Sequence, residues 1–137
     1  YVILRPGLEK FLEAMSAVYT LAIYTTESKE YAEMILNGTK IKKYFSTFRY
    51  KDSFKQIKHE KLIKNIAVFG ISMKEILMID DSTTHNEAQP NNTLLMKTFK
   101  GDANDRDLKT ITPFLLQLAE DEDVRPVSVK YSKYRIK

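Results

Sequence analysis

The chain lacks cysteine and tryptophan altogether, and its 137 residues include two histidines, four glycines and four prolines. Without cysteine there is no disulfide framework and no thiolate metal site, which fits a reducing compartment. His59 and His85 stand far apart with no ligand spacing, so they read as surface residues rather than a metal pair. No apolar run is long enough to span a bilayer, no secretory signal opens the chain, and no repeat or low-complexity block interrupts it. The first residue is Tyr1 rather than Met, which reads as a processed start or as a cut inside a longer protein. What is present is an apolar fraction of 43%, enough to furnish the core of one domain.

The net charge of +4 is unevenly spread. Beyond residue 124 the chain carries Arg125, Lys130, Lys133, Arg135 and Lys137 and no acid. Residues 40–64 are also strongly basic, opposed by Asp52 and Glu60, whereas 102–107 and 120–123 lean acidic. A basic segment attracts phosphates, acidic peptides or nucleic acid, or is simply a solvated lysine-rich loop. The domain reading is 1–126, with 127–137 as a basic tail.

Periodicity places the elements. Residues 1–4 suit a strand. Pro6 suits a helix start, and Leu8, Phe11, Leu12 and Met15 recur with helical spacing. Residues 18–24 read as a strand ending at Thr25. A helix follows, capped by Ser28 and stopped at Asn37 and Gly38. A short strand is expected within 45–50 and a short helix over 62–68. Residues 75–79 read as a strand buried on both faces, and 93–96 as another after the turn cluster Gln89, Pro90, Asn91 and Asn92. Leu108, Ile111, Leu115 and Leu118 predict a helix, with Thr112 and Pro113 marking a break. Strands alternate with helices, which predicts an α/β fold with a mainly parallel sheet and helices on both faces.

The run Ile76, Leu77, Met78, Ile79 ends abruptly in Asp80, Asp81 and Ser82. Ligands of open α/β sheets bind beyond the carboxyl ends of strands. Two adjacent acids there repel, and a hard divalent cation is the simplest remedy. Thr25 also ends a strand, and Lys64 sits at the start of the helix leading into the Asp80 strand. A hydroxyl, an ammonium and a carboxylate pair suit a phosphoryl group held beside Mg²⁺. Each has a plainer alternative: Thr25 as a cap or turn residue, Lys64 as a solvated lysine, the aspartates as turn formers. Tyr24, Tyr31 and Tyr44 read as core and rim residues.

These segments together resemble the haloacid-dehalogenase-type (HAD) phosphatases that act on the carboxy-terminal tail of RNA polymerase II. The small C-terminal-domain phosphatase group matches best, with the Nem/Dullard type nearby. Leu4 through Leu12 resembles the family's RP-x-hydrophobic-x-x-FL opening. Ile23 through Ala32 resembles FTAS-x-x-YA, Phe48-Arg49 resembles FR, and Lys64 through Gly70 resembles KDLS-x-LG. Ile79 through Ser82 resembles LDNSP, and residues 108–126 resemble L-x-x-LLPFL-x-x-L followed by DDVRP. The likeness covers nearly the whole chain.

The resemblance implies a HAD-like, Rossmannoid three-layer sandwich and a Mg²⁺-dependent protein serine/threonine phosphatase working through an aspartyl-phosphate. It implies that Thr25 and Lys64 hold the phosphoryl group, that Asp80 and Asp81 lie by the metal, and that Arg49 faces the phosphopeptide. Asp81 departs from the small phosphatases, where Asn occupies that position, and Thr83 stands where Pro is common. The largest departure is that no D-x-D-x-T occurs, so the nucleophile, the acid/base and the central first strand are missing. The expectation is a fragment that does not catalyse as it stands. It also implies a monomer with a phosphoprotein partner such as the polymerase tail, no direct nucleic-acid contact, and a nuclear location. The alternative is a non-catalytic scaffold on the same fold, like a mitochondrial translocase receptor, with cytoplasm, nuclear envelope/ER or mitochondrion as other locations. A receiver-like protein would need an early strand ending in an acid, and Thr25 stands there instead.

Overall fold

Gly7 takes a left-handed backbone (φ 79°), which a residue without Cβ adopts at little cost, and so turns the chain into its first helix. In the computed structural model of the protein, which describes residues 2–54, 57–58, 61–82 and 88–126, that helix is α1 (Leu8–Ser16). Leu12 and Met15 are buried, as the apolar spacing predicts. The described residues divide into two compact units: Tyr1–Phe54 with Phe99–Ala119, and Lys55–Thr98 with Glu120–Lys137.

In the first unit, residues 2–4 form no strand, and Val2, Ile3 and Leu4 are exposed. The expected strand at 18–24 shrinks to β1 (Ala22–Tyr24), because the backbone N–H groups of Val18 and Tyr19 return to Met15 and finish the α1 turn. Helix α2 (Lys29–Thr39) starts as expected, with Ser28 Oγ accepting from Tyr31 N–H at 3.3 Å. It runs through Asn37 and Gly38 and ends instead at Lys40, which takes a left-handed φ of 60°. A 3₁₀ turn (Lys42–Tyr44) leads to β2 (Thr47–Arg49), parallel to β1 with Ile23 opposite Phe48. Tyr24 packs on Phe54 with ring centres 5.0 Å apart, while Tyr31 is exposed.

The other helix of this unit, α3 (Asp107–Leu118), is unbroken at Pro113. Thr112 is not a cap; its hydroxyl donates to the Leu108 carbonyl at 2.7 Å. Leu108, Ile111, Leu115 and Leu118 are all buried, and that anchorage outweighs the amide hydrogen that Pro113 lacks. The helix packs on α1, where the Tyr19 hydroxyl donates to the Leu115 carbonyl at 2.5 Å. Arg5 clasps its N-terminal end, donating to both oxygens of Asp105 and to Asp107, each at 3.0 Å.

In the second unit, β3 (Ile57–Lys58) and β4 (Lys61–Leu62) form a two-residue antiparallel pair. The expected helix over 62–68 is a single 3₁₀ turn, Ile66–Phe69. Asn65 caps it by accepting from Ala67 N–H, and Gly70 (φ 66°) ends it, leaving too few residues for an α-helix. Strand β5 (Met78–Asp80) pairs in parallel with β6 (Thr93–Leu95), which follows a 3₁₀ turn at Pro90–Asn92. The strand begins later than residue 75 because the Ile76 carbonyl is taken by the Asn92 side chain. Nor is it buried on both faces: Met78 is buried but Ile79 is 38% exposed.

The protein is therefore α/β, with parallel pairs β1–β2 and β5–β6. Among the described residues no strand joins them into the single sheet expected. His59, His85, Thr83 and the tail 127–137 lie outside the described residues.

Candidate functional site

Lys64 does not start a helix; it lies in the irregular link between β4 and the Ile66–Phe69 turn. It is not solvated either, being only 8% exposed. Burying an ammonium is costly unless a countercharge meets it. Asp80 supplies that charge, with its Oδ2 2.6 Å from Lys64 Nζ. Asp80 is the last residue of β5, at the carboxyl end of a parallel pair, where ligand sites of α/β sheets form. Its Oδ1 accepts from Asp81 N–H at 2.8 Å, and its carbonyl accepts from Met96 N–H at 2.9 Å. The carboxylate is thus held at a fixed angle to the strand. Lys64 thus offsets the charge of Asp80, the first of the two adjacent aspartates.

The side chain of Asp81 is exposed beside this pair. Among the described residues no three His, Asp or Glu side chains gather as a metal-binding group. Asp80 and Asp81 are the described carboxylates at the carboxyl end of β5 that a cation could meet. Their oxygen-only donor set fits Mg²⁺, which is commonly held by one or two carboxylates and retains several waters.

The turn that sequence reasoning treated as punctuation contributes two buried polar side chains, Gln89 and Asn92. Gln89 Nε2 donates to the Lys64 carbonyl at 2.9 Å, and its Oε1 accepts from Ile66 N–H at 3.3 Å. No charge or periodicity marks them in the sequence; amides close to a proline are ordinary loop composition.

In the first unit, Thr25 follows β1 directly. Its N–H donates to the Arg49 carbonyl at 3.0 Å, so the backbone brings Thr25 and Arg49 together at the carboxyl end of β1–β2. Thr25 Oγ1 accepts from Glu27 N–H at 3.1 Å, a turn-forming bond that leaves the hydroxyl hydrogen as a donor. Predicted positions are thus assembled as two groups: Thr25 with Arg49 in one unit, and Lys64 with Asp80 and Asp81 in the other.

Part of the basic segment is engaged within the protein. Lys42 donates to Glu33 at 3.3 Å and sits 5.5 Å from the Phe48 ring centre, and Lys43 lies over Tyr44. The hydrogen bond and charge of Lys42 hold the Glu33 carboxyl below its ordinary range. Burial, then the Glu33 carboxylate, raises the Tyr50 phenol. A cavity lined by Asn91, Asp123, Arg125 and Pro126 includes none of the five predicted site residues.

Comparison with known proteins adds a separate line. The family model described as NLI interacting factor-like phosphatase matches residues 1–125. CTD small phosphatase-like protein 2 of Dictyostelium discoideum is 30% identical over 133 residues, covering 96% of this chain and 23% of the relative. A probable C-terminal domain small phosphatase of the same organism is 25% identical over 127 residues, 93% of this chain and 41% of the relative. The mitochondrial import inner membrane translocase subunit tim50 of Aspergillus fumigatus is 29% identical over 129 residues, 90% of this chain and 25% of the relative. The chain thus spans less than half the length of these relatives.

Proposed function

The chain belongs to the NLI interacting factor-like phosphatase family, and on that premise we propose that it forms the phosphoryl-binding part of a Mg²⁺-dependent protein serine/threonine phosphatase. One observation carries the reading: Lys64 is buried, yet its ammonium ends 2.6 Å from a carboxylate at the carboxyl end of a parallel strand. A lysine kept out of water in that place suits an oxyanion better than it suits a fold in need of stability.

In this reading the fold is the three-layer HAD arrangement. Lys64 stabilises the transferring phosphoryl oxygens. Within its own unit, Thr25 keeps a hydroxyl hydrogen of the kind that donates to a phosphoryl oxygen. Asp80 holds Lys64 in place, and Asp80 and Asp81 are the carboxylates that would hold Mg²⁺. The metal, when bound, offsets the negative charge that develops on the phosphoryl group. Arg49 meets the phosphopeptide, of which the RNA polymerase II tail is one candidate. The attack itself needs a carboxylate nucleophile, with a second acid to protonate the leaving oxygen. No D-x-D-x-T exists in these 137 residues, so both acids come from polypeptide outside them.

The test uses the longer polypeptide containing this chain and a small aryl phosphate as substrate. Lys64→Ala is expected to lower kcat by about 10²-fold or more, the usual effect of losing one oxyanion stabiliser. Turnover that survives the substitution would remove Lys64 from the site; no turnover in the unsubstituted polypeptide, with or without Mg²⁺, would overturn the phosphatase reading.

A second reading is a protein-recognition module without catalysis. The 29% identity to a translocase subunit favours it, and the Lys64–Asp80 pair is satisfied without a substrate. It predicts no aryl-phosphate turnover in the longer polypeptide with or without Mg²⁺. A nuclear location goes with the first reading and a mitochondrial one with the second. Among the described residues no helix is long and apolar enough to cross a membrane.

A further inference from the structure

Gln89 and Asn92 are polar side chains each only 3% exposed, at either end of the short turn before β6. Buried amides are retained where their hydrogen bonds fix something. Gln89 grips the Lys64 segment from both sides, donating to the Lys64 carbonyl and accepting from Ile66 N–H two residues on. Its own backbone is fixed in turn: the Gln89 carbonyl accepts from Thr93 Oγ1 at 2.8 Å and from Asn92 N–H at 3.1 Å. Asn92 grips the other side of the ion pair. Its Nδ2 donates to the Met73 carbonyl at 2.6 Å and to the Ile76 carbonyl at 2.9 Å, both on the approach to β5.

We propose that the Gln89–Asn92 turn is a positioning clamp that sets the Lys64–Asp80 geometry. One amide holds the backbone from which the ammonium extends, and the other holds the backbone that delivers the carboxylate. A lysine side chain has four rotatable carbons and no directional preference of its own, so its reach is set by where its backbone is held. Neither amide needs to touch a substrate. The consequence for catalysis rests on the phosphatase reading; the mechanical claim does not.

The test is the rate at which Lys64 Nζ undergoes reductive methylation in the folded protein, read by peptide mass spectrometry. Amide exchange in β6 serves as an internal reference for general loosening of the unit. Gln89→Met keeps the length and removes both hydrogen bonds. It is expected to raise Lys64 labelling by about tenfold or more, the effect of two lost buried hydrogen bonds on a local opening equilibrium. The β6 amides should speed up much less. Gln89→Glu keeps the acceptor for Ile66 N–H and loses the donor to the Lys64 carbonyl, so it should raise labelling as well. Asn92→Asp loosens the β5 side and replaces the first variant if that one does not fold. Labelling that stays unchanged, or that rises only in step with β6 exchange, overturns the clamp, because a merely structural residue would behave that way. In the longer polypeptide, Gln89→Met should lower kcat and leave KM unchanged. Absence of turnover in the unsubstituted longer polypeptide would sink the phosphatase reading alone, and the labelling result would still decide the clamp.

Discussion

Asp123 illustrates how a single surface residue can report on the fold. Arg125 donates to both of its carboxylate oxygens, at 3.0 and 2.8 Å. That hydrogen bonding from Arg125 holds the Asp123 carboxyl down at about 2, from an ordinary 3.8. A carboxyl with a depressed folded-state pKa stabilises the protein above its unfolded value, and that stability is lost as pH falls through the folded value. The pair should therefore help from about pH 4 upward and fail towards pH 2. Asp123→Asn is expected to flatten the acid limb of stability in that window, which urea unfolding across pH would measure. At neutral pH the same variant should be slightly less stable; an unchanged acid limb would contradict the assignment. Lys64 offers the contrasting lesson about legibility. By composition it was one cation among many in a basic stretch, and only the motif likeness singled it out. Its burial depends on Asp80, sixteen positions later, and no local pattern encodes that distance. Asp80 was legible because an apolar run ends on it.

At the scale of elements, α2 carries two opposite departures from helix chemistry. Gly38 lies inside the helix although glycine is a poor helix former, and a Cβ there would meet nothing within 4 Å. Lys40 closes the helix in a left-handed conformation that costs a residue with a side chain about 1 kcal/mol or more. The two types would serve better exchanged. Gly38→Ala is expected to stabilise by about 0.5–1 kcal/mol, and Lys40→Gly by a comparable amount. Thermal unfolding of the single and double variants checks both, and a fall in melting temperature with either would mean the helix ends elsewhere. The Asn37-Gly38 stop was misplaced for the same reason: glycine signals a helix end only when it takes the left-handed position, and here Lys40 takes it. The misreading at Pro113 is similar in kind. A proline argues for a break only until the buried face of Leu108, Ile111, Leu115 and Leu118 is weighed against one missing amide hydrogen. The helices α1 and α2 were legible from spacing and capping, whereas the 3₁₀ turn at Ile66–Phe69 depended on Asn65 and Gly70 acting with only four residues between them.

For the molecule as a whole, the α/β class was legible from alternation, while the extent of the strands was not. Each strand is two or three residues long, because side chains and turn bonds claim backbone groups that a longer ladder would use. In β5, the register with β6 and the Met96 N–H bond to the Asp80 carbonyl direct Met78 and Asp80 towards β6, and Ile79 away from it. The Ile79 amide is therefore expected to exchange with solvent far faster than those of Asp80 and Leu94, a contrast that amide exchange by NMR would reveal. Equal protection at all three would mean that another strand lies along β5.

The Arg5 clasp also bears on how the chain folds as it is made. Its carboxylate partner Asp105 lies 100 residues downstream, and Leu115, which receives the Tyr19 hydroxyl, is 96 residues beyond Tyr19. At a synthesis rate of about 5–20 residues per second, the first helix waits roughly 5–20 s for the helix it packs against. For that interval α1 is without the α3 face it packs against. The second unit, whose β5 and β6 lie close in sequence, can form its parallel pair first. Packing order therefore departs from synthesis order here: α1 is made before β5 and β6 but meets α3 only after both have emerged.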